Sequence, residues 1–144
     1  MARSPRMASR HVLRINHVGV AVPSIARFLE TQDVLYGGLD AGSIIENERQ
    51  RVNEVFLSDG RTVVELLEPR AASSPLDSFL QRNRGGGPIH LALDVVDLDA
   101  ALTAVRAAGG RVIVEPTPDV AFASRRIAFV YLGGIVTELI ETAS

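Results

Sequence analysis

An internal repeat with a constant offset of 73 residues is the feature that most limits how this chain can fold. Ile15–Val22 reads INHVGVAV and Pro88–Val95 reads PIHLALDV, each with a histidine in third place and an apolar run of strand length. Asn53–Glu68 and Arg126–Glu141 each read as strand, glycine turn and strand, with an acidic residue within the second strand. Four pairs share the offset: His17 with His90, Phe56 with Phe129, Gly60 with Gly133, and Glu65 with Glu138. These matches in one ungapped register predict two copies of one structural unit.

Each copy is predicted to contain a helix after its first strand. Ser24 is a candidate N-cap for a helix over SIARFLETQDVLY, and Asp97 is one for a helix over DLDAALTAVRAA that ends at Gly109–Gly110. Asp40–Ile45 and Arg111–Val114 are predicted as the shorter strands that follow. Each half is then strand, helix, strand, strand, strand, which gives an α+β fold of two tandem βαβββ modules.

The predicted division of the chain has four parts. Residues 14–72 form the first module, residues 88–144 form the second, and residues 73–87 form a linker with a short helix that begins at Ser74–Pro75. Residues 1–13 are predicted to be a flexible N-terminal tail, because this basic segment lacks the apolar core of a secretory signal. A targeting peptide is the alternative interpretation of the tail. The linker is short, so the two modules are expected to pack on each other.

Composition excludes several classes of function. The chain has no cysteine, which removes disulfides, zinc–thiolate sites and cysteine nucleophiles. The formal net charge is −2 and no basic cluster is present, so nucleic-acid binding is not expected. No apolar stretch approaches the roughly 20 residues of a membrane-spanning helix, so no membrane partner is expected. A cytoplasmic protein is the default prediction.

The repeat pairs two histidines and two glutamates, His17 with His90 and Glu65 with Glu138, all within apolar strands. Taken singly, each is more often an ordinary core or surface residue. If the modules pack about a pseudo-twofold axis, however, the four side chains converge near that axis. Two carboxylates that lie close together repel unless a cation or a proton lies between them, and a set of two histidines and two carboxylates suits a divalent ion. The pattern therefore predicts a metal site.

Several segments also resemble a known family. They are the opening INHVGVAVP, the segment ELLEP, the run SPLDSFLQRNRGGGPIHLALDV and the terminal TELIE. From about Ile15 to its end, the chain resembles the vicinal oxygen chelate (glyoxalase/bleomycin resistance/dioxygenase) superfamily, and within it the methylmalonyl-CoA epimerases. The resemblance implies a curved, barrel-like mixed sheet around a metal site. It also implies an enolate-forming epimerase, an acyl-CoA substrate and a homodimer.

The resemblance assigns roles to particular residues. His17, Glu65, His90 and Glu138 match the family's metal ligands, for one divalent ion that could be cobalt, manganese, nickel, zinc or iron. Glu54 matches a glutamate with a proposed role in proton transfer, and Glu138 is the candidate for the second proton-transfer group. Glu54 has no acidic counterpart in the other half, where Ile127 holds its place. A surface carboxylate is the alternative interpretation of Glu54.

Two segments depart from the family pattern, at residues 117–125 and 131–134. Both could shape a substrate pocket, so they leave open another glyoxalase-like lyase, isomerase or cyclase acting on a different carbonyl compound. A non-catalytic binding protein of the same fold is a third interpretation, against which the full set of ligand-type residues argues. Four arginines are candidates for binding the anionic CoA, with solvated surface charge as the alternative: Arg82, Arg84, Arg125 and Arg126.

Overall fold

The computed structural model describes residues 11–142, which form one curved mixed β-sheet and four helices. The strands are β1 (Val12–Ala21), β2 (Asp40–Ala41), β3 (Ile45–Asn47), β4 (Val52–Ser58), β5 (Val63–Pro69), β6 (Gly87–Val95), β7 (Arg111–Pro118), β8 (Arg126–Leu132) and β9 (Ile135–Glu141). The helices are α1 (Ile25–Thr31), α2 (Asp33–Tyr36), α3 (Asp77–Arg82) and α4 (Leu98–Ala107), and a 3-10 turn covers Val120–Phe122.

The two halves of the sheet meet at β1 and β6. The strand order is β2-β4-β5-β1-β6-β9-β8-β7, with β3 also paired to β4. Within each half the first strand lies parallel to the last one, β1 to β5 and β6 to β9, and β1 and β6 are antiparallel to each other. This architecture confirms the α+β fold class and the curved mixed sheet that the sequence predicted.

The pairing of the strands follows the repeat in the sequence. Phe56 on β4 lies opposite Glu65 on β5, and Phe129 on β8 lies opposite Glu138 on β9. The predicted helix caps are also present. The Ser24 hydroxyl accepts from the backbone N–H of Arg27 at 3.2 Å, and the Asp97 carboxylate accepts from that of Ala100 at 3.0 Å.

Helices α1 and α4 cover one face of the sheet, and the ligand-type residues lie on the other face. Leu66 packs in the cluster under α1, and Leu139 packs in the cluster under α4. Because alternate residues of a strand point to opposite faces, their neighbours Glu65 and Glu138 point to the other face. Helix α3 and the 3-10 turn contribute apolar side chains to two further clusters.

Four element boundaries differ from the prediction. The strand expected over 40–45 is two short strands separated by residues 42–44, although the Gly42 N–H still donates to the Phe56 carbonyl at 2.9 Å. The first helix breaks at Gln32 into α1 and α2, and α3 begins at Asp77 rather than directly after Pro75. β7 extends to Pro118, since the edge strand of a sheet tolerates proline.

At the N-terminus, β1 already begins at Val12, and residues 1–10 of the expected tail lie outside the described residues. Among residues 11–142, no helix is both long enough and apolar enough to cross a membrane.

Candidate metal centre and active site

Four neighbouring strands at the centre of the sheet bring the predicted ligands together. His17 lies on β1, Glu65 on β5, His90 on β6 and Glu138 on β9. One nitrogen or oxygen of each side chain lies within 4.8 Å of the others, and all four residues are buried. The two halves contribute one histidine and one glutamate each, so the group lies where the two repeats meet.

The spacing of these atoms fits a single cation. His17 Nε2 lies 3.4 Å from Glu65 Oε1, 3.3 Å from Glu138 Oε1 and 3.4 Å from His90 Nε2. His90 Nε2 lies 3.6 Å from each of the same two oxygens. Four donors bound tetrahedrally at about 2.1 Å from one ion would lie about 3.4 Å apart. Glu138 Oε1 is also buried without a hydrogen-bond partner, which is costly for an oxygen that no cation approaches. The four residues could therefore hold a divalent metal ion.

A chain of hydrogen bonds orients the His17 ring. Its Nδ1 lies 2.8 Å from Asn16 Oδ1, and Asn16 Nδ2 donates to Asp94 Oδ1 at 3.0 Å. Arg14 Nε donates to the other oxygen of Asp94 at 2.5 Å. Because the Asn16 amide nitrogen faces a carboxylate, its oxygen must face the ring, so His17 Nδ1 carries the hydrogen. That tautomer leaves the lone pair of Nε2 directed at the proposed metal position.

The His90 ring is positioned by a close approach to β1. It lies over Gly19, where an added Cβ would be 2.5 Å from His90 Nε2 and 2.7 Å from Nδ1. Real Cβ atoms do not approach so closely, so any larger residue at position 19 would displace the ring. The glycine is thus a requirement of the site rather than of the strand.

Three phenylalanine rings surround the imidazoles. The ring of Phe56 meets His17 edge-on at 5.5 Å between centroids, and Phe129 meets His90 in the same way at 5.4 Å. Phe122, from the 3-10 turn, stacks on His17 at 5.9 Å with 12° between the ring planes. These rings exclude water from the His17 side, which strengthens electrostatic interactions within the group.

Without a bound cation the cluster holds protons instead. Burial lowers the pKa of His17, but the carboxylates of Glu138 and Glu65 outweigh that effect and raise it to about 9. Burial lowers the pKa of His90 to about 4 and raises the pKa of Glu138 to about 7. Burial also raises the pKa of Glu65, but contact with His17 outweighs it and the net direction is down. A metal ion would displace the proton from His17 when it binds.

Glu54 is not a surface carboxylate, so the alternative interpretation of this residue was wrong. Its exposure is 4%, and it lies beside Glu65 on the face that carries the ligands. Burial, followed by the charge of Glu65, raises the pKa of Glu54 to about 9. Asn47 Nδ2 donates to Glu54 Oε1 at 3.2 Å and also to Asp119 Oδ2 at 3.2 Å. Sequence reasoning missed Asn47 and Asp119, because nothing in their immediate context indicates that they are buried.

A cavity of about 400 Å³ opens beside His90 on this face. Its walls are mostly apolar and include Val52, Leu67, Ile89, Ile113, Phe129 and Val136. Arg49, Gln50, Arg51 and Thr117 provide its polar part, and Arg49 donates to the Thr117 hydroxyl at 2.6 Å. The volume and the mixture of apolar walls with a few polar groups are typical of a small-molecule site.

The arginines at this cavity are not those that the sequence suggested. Of the four candidates, all within the described part of the chain, none lines the cavity. Arg126 is held by Glu141 and Asp99, at 2.8 and 3.1 Å. Arg125 lies over the Phe122 ring and donates to the Phe122 carbonyl at 3.2 Å. Arg82 and Arg84 are exposed, at and just beyond the end of α3.

Comparison with known proteins identifies the family. Residues 16–129 match the model of the glyoxalase/bleomycin resistance protein/dioxygenase superfamily. The chain belongs to this superfamily. The match spans both halves of the sheet and includes His17, Glu65 and His90.

Within the superfamily, several of the similar proteins are epimerases. The chain is 30% identical to the ethylmalonyl-CoA/methylmalonyl-CoA epimerase of Cereibacter sphaeroides, over 88% of this chain and 96% of that protein. It is 29% identical to the mitochondrial methylmalonyl-CoA epimerase of Dictyostelium discoideum, over 89% and 78%. The crystal structure of methylmalonyl-CoA epimerase from Mycobacterium tuberculosis is 29% identical, has a TM-score of 0.80 and aligns over 97% of this chain and 95% of that one. The similarity to this family that the sequence indicated is thus confirmed.

Proposed function

We propose that this protein is a methylmalonyl-CoA epimerase that binds one divalent metal ion through His17, Glu65, His90 and Glu138. The observation that carries the proposal is a further buried carboxyl group, Glu54, which lies beside Glu65 of the four ligand-type residues. Metal binding alone would explain why His17, Glu65, His90 and Glu138 lie together, but it does not require Glu54. A further buried carboxyl group with a raised pKa is what proton transfer at neutral pH requires.

The proposed ion has one chemical task. It would act as a Lewis acid and stabilise the negative charge that develops on the thioester oxygen when carbon two loses its proton. The surrounding side chains support this task without taking part in bond changes. Asn16 sets the tautomer of His17, and the rings of Phe56, Phe122 and Phe129 keep the site dry.

Inversion at carbon two requires proton removal on one face and proton return on the other. We assign these steps to Glu54 and Glu138. The C–H bond breaks as one carboxylate takes the proton, and the electron pair moves onto the thioester oxygen. The second carboxyl group then returns a proton to the opposite face. Glu54 and Glu138 come from different halves of the chain, which allows them to approach the carbon from two sides.

The cavity supports an acyl-CoA as substrate. Its apolar walls next to His90 suit the methyl-bearing acyl group, while Arg49 and Arg51 suit an anionic group. The relatives named for ethylmalonyl-CoA or methylmalonyl-CoA epimerisation support the same substrate class.

Hydrogen exchange at carbon two tests the proposal. The purified protein is incubated with methylmalonyl-CoA in heavy water, before and after chelation, and proton NMR follows the carbon-two signal. We expect exchange that stops on chelation and returns with a divalent ion such as cobalt or manganese. A metal-replete sample that exchanges no proton would overturn the substrate assignment and leave a glyoxalase-like reaction on another carbonyl compound to be tested.

Two further expectations complete the proposal. We propose that residues 14–72 and 88–144 are the duplicated units and 73–87 their linker, which the shared strand register supports. We also propose a homodimer. Light scattering after size-exclusion chromatography would give the mass in solution, and a monomeric mass across protein concentrations would exclude the dimer.

A further inference from the structure

Asn47 connects two buried carboxylates that belong to different halves of the chain. Its amide nitrogen donates one hydrogen to Glu54 Oε1 and the other to Asp119 Oδ2, both at 3.2 Å. Its amide oxygen accepts from the backbone N–H of Gln50 at 3.1 Å. Asn47 is 2% exposed, Glu54 4% and Asp119 4%. Both amide hydrogens and the amide oxygen of Asn47 are therefore engaged, and the orientation of its side chain is fixed.

Hydrogen bonds to both oxygens also fix the orientation of the Asp119 carboxylate. Its Oδ1 accepts from the backbone N–H of Ala121 at 2.8 Å, which caps the 3-10 turn. Its Oδ2 accepts from Gln50 Nε2 at 2.7 Å as well as from Asn47. Glu54 is thus linked to the backbone of both halves through side chains that cannot rotate without breaking several hydrogen bonds.

The matching position of the second half has apolar surroundings instead. Ile127 lies 73 residues after Glu54 and packs in an apolar cluster with Phe122 and Ile140. The polar network around Glu54 is therefore an addition to the repeat. The carboxylate of Asp119 comes from residues 117–125, a segment in which the chain departs from its family.

We propose that Asn47 and Asp119 are positioning residues that hold the Glu54 carboxyl group against one face of the substrate. The inference rests on the proposed epimerase function. Proton transfer at that face breaks the C–H bond and forms an O–H bond at Glu54, so the rate depends on where its oxygens lie. The hydrogen bonds of the Asn47 and Asp119 side chains do not include Glu138, which serves the opposite face.

The test measures exchange and inversion separately, starting from each epimer of methylmalonyl-CoA in heavy water with metal-loaded enzyme. Asn47→Leu keeps the size of the side chain and removes both donors. We expect it to lower inversion, and exchange from one epimer, by about 100-fold, the effect of displacing a reacting group by about 1 Å. Exchange from the other epimer, with retention of configuration, should persist, because the second acid–base group is untouched.

A second variant guards against a folding defect. Asp119→Asn retains Oδ1 for the cap of the 3-10 turn, replaces the Oδ2 acceptor that faces Asn47 and Gln50 with an amide donor and removes one negative charge, so loss of exchange on the Glu54 side is expected. The matched control is Glu46→Gln, on the same strand as Asn47 but with its side chain 65% exposed and paired with Arg70. The control should exchange both epimers as the wild type does.

Metal affinity is the readout that separates positioning from general damage to the site. The hydrogen bonds of the Asn47 and Asp119 side chains involve none of the four proposed ligands, so Asn47→Leu should bind cobalt as the wild type does. Equal slowing of exchange from both epimers, or no slowing of either, would overturn the inference while leaving the epimerase proposal standing. Absence of exchange by the metal-loaded wild type would overturn the proposed function, and this inference with it.

Discussion

Each imidazole of the proposed metal centre is held by a different neighbour. His17 is oriented by a hydrogen bond to Asn16. The His90 ring instead occupies the space that Gly19 leaves free because it has no side chain. The two histidines could be paired from the sequence, because the repeat aligns them. The roles of Asn16 and Gly19 could not be predicted in this way, since a polar residue beside a histidine and a glycine within a strand both occur in many proteins without a metal site.

Gly19→Ala should weaken metal binding by about 10- to 100-fold, the usual cost of disturbing a group that orients a metal ligand. The added methyl group would overlap the His90 ring and push Nε2 away from the other three donors. Titration calorimetry with cobalt measures the change. Gly38→Ala is the matched control, because an added Cβ there meets nothing within 4 Å. Equal affinity of the two variants would contradict this account of Gly19.

The metal-free protein should lose stability as the pH rises from about 6.5 to about 9. A group whose pKa is higher in the folded state stabilises the fold below its unfolded value and loses that contribution as the pH rises through its folded value. The pKa of His17 rises from 6.5 to about 9, and that of Glu54 rises from 4.5 to about 9. Thermal unfolding of chelator-treated protein across this range checks the sign.

The control for the pH prediction is Glu54→Gln, which removes one of the groups that titrate in this range and leaves His17 and Glu138. Its melting temperature should fall less steeply with pH than that of the wild type. A melting temperature that rises across the window in the chelated wild type would mean that His17 and Glu54 are not protonated in the folded state.

At the scale of the elements, the repeat extends to the helix starts. Glu68 Oε2 accepts from the backbone N–H of Ile25 at 3.1 Å, and Glu141 Oε2 accepts from that of Leu98 at 3.2 Å. Each last strand therefore anchors the helix of its own half. Sequence analysis predicted the helices and their caps, because capping residues act locally. It did not predict the break of the first helix at Gln32 or the interruption of the strand after Ala41.

Ser24→Ala and Asp97→Ala should each lower the free energy of unfolding by about 1 kcal/mol, the usual cost of removing an N-cap. Each substitution leaves one backbone N–H of the helix start without its side-chain acceptor. Chemical denaturation of the metal-free proteins measures the loss. Cobalt affinity serves as the internal control and should not change, since both caps lie on the helix-covered face. A loss of affinity in either variant would show that the helices also position the ligands.

At the scale of the whole molecule, the proposed metal site joins the two halves. The sheet continues across β1 and β6, and each half supplies two of the four proposed ligands. The overall fold followed from the sequence because the repeat, the strand patterns and the family resemblance agreed. The lining of the cavity could not be predicted from the sequence. Arg49, Arg51 and Thr117 come from turns and edges whose positions depend on the complete sheet.

Metal binding should therefore stabilise the whole chain in one transition. At a free ion concentration about 100 times the dissociation constant, the gain in unfolding free energy would be about 2.7 kcal/mol. Differential scanning calorimetry with and without cobalt measures the shift. Glu65→Ala should abolish it, whereas the exposed Glu30→Ala should not. A shift that survives Glu65→Ala would place the ion elsewhere.

The two halves differ in the residues that flank the site, and this difference bears on how proteins with this fold acquire different specificities. Phe122 lies 73 residues after Arg49, yet Phe122 covers His17 whereas Arg49 lies at the mouth of an open cavity beside His90. The two halves thus differ around the proposed centre, with an aromatic ring against one imidazole and a cavity beside the other. Substitutions in these two turns would change access to the proposed centre while leaving its four candidate ligands in place. New specificities can thus arise in the turns without disturbing the chemistry at the centre.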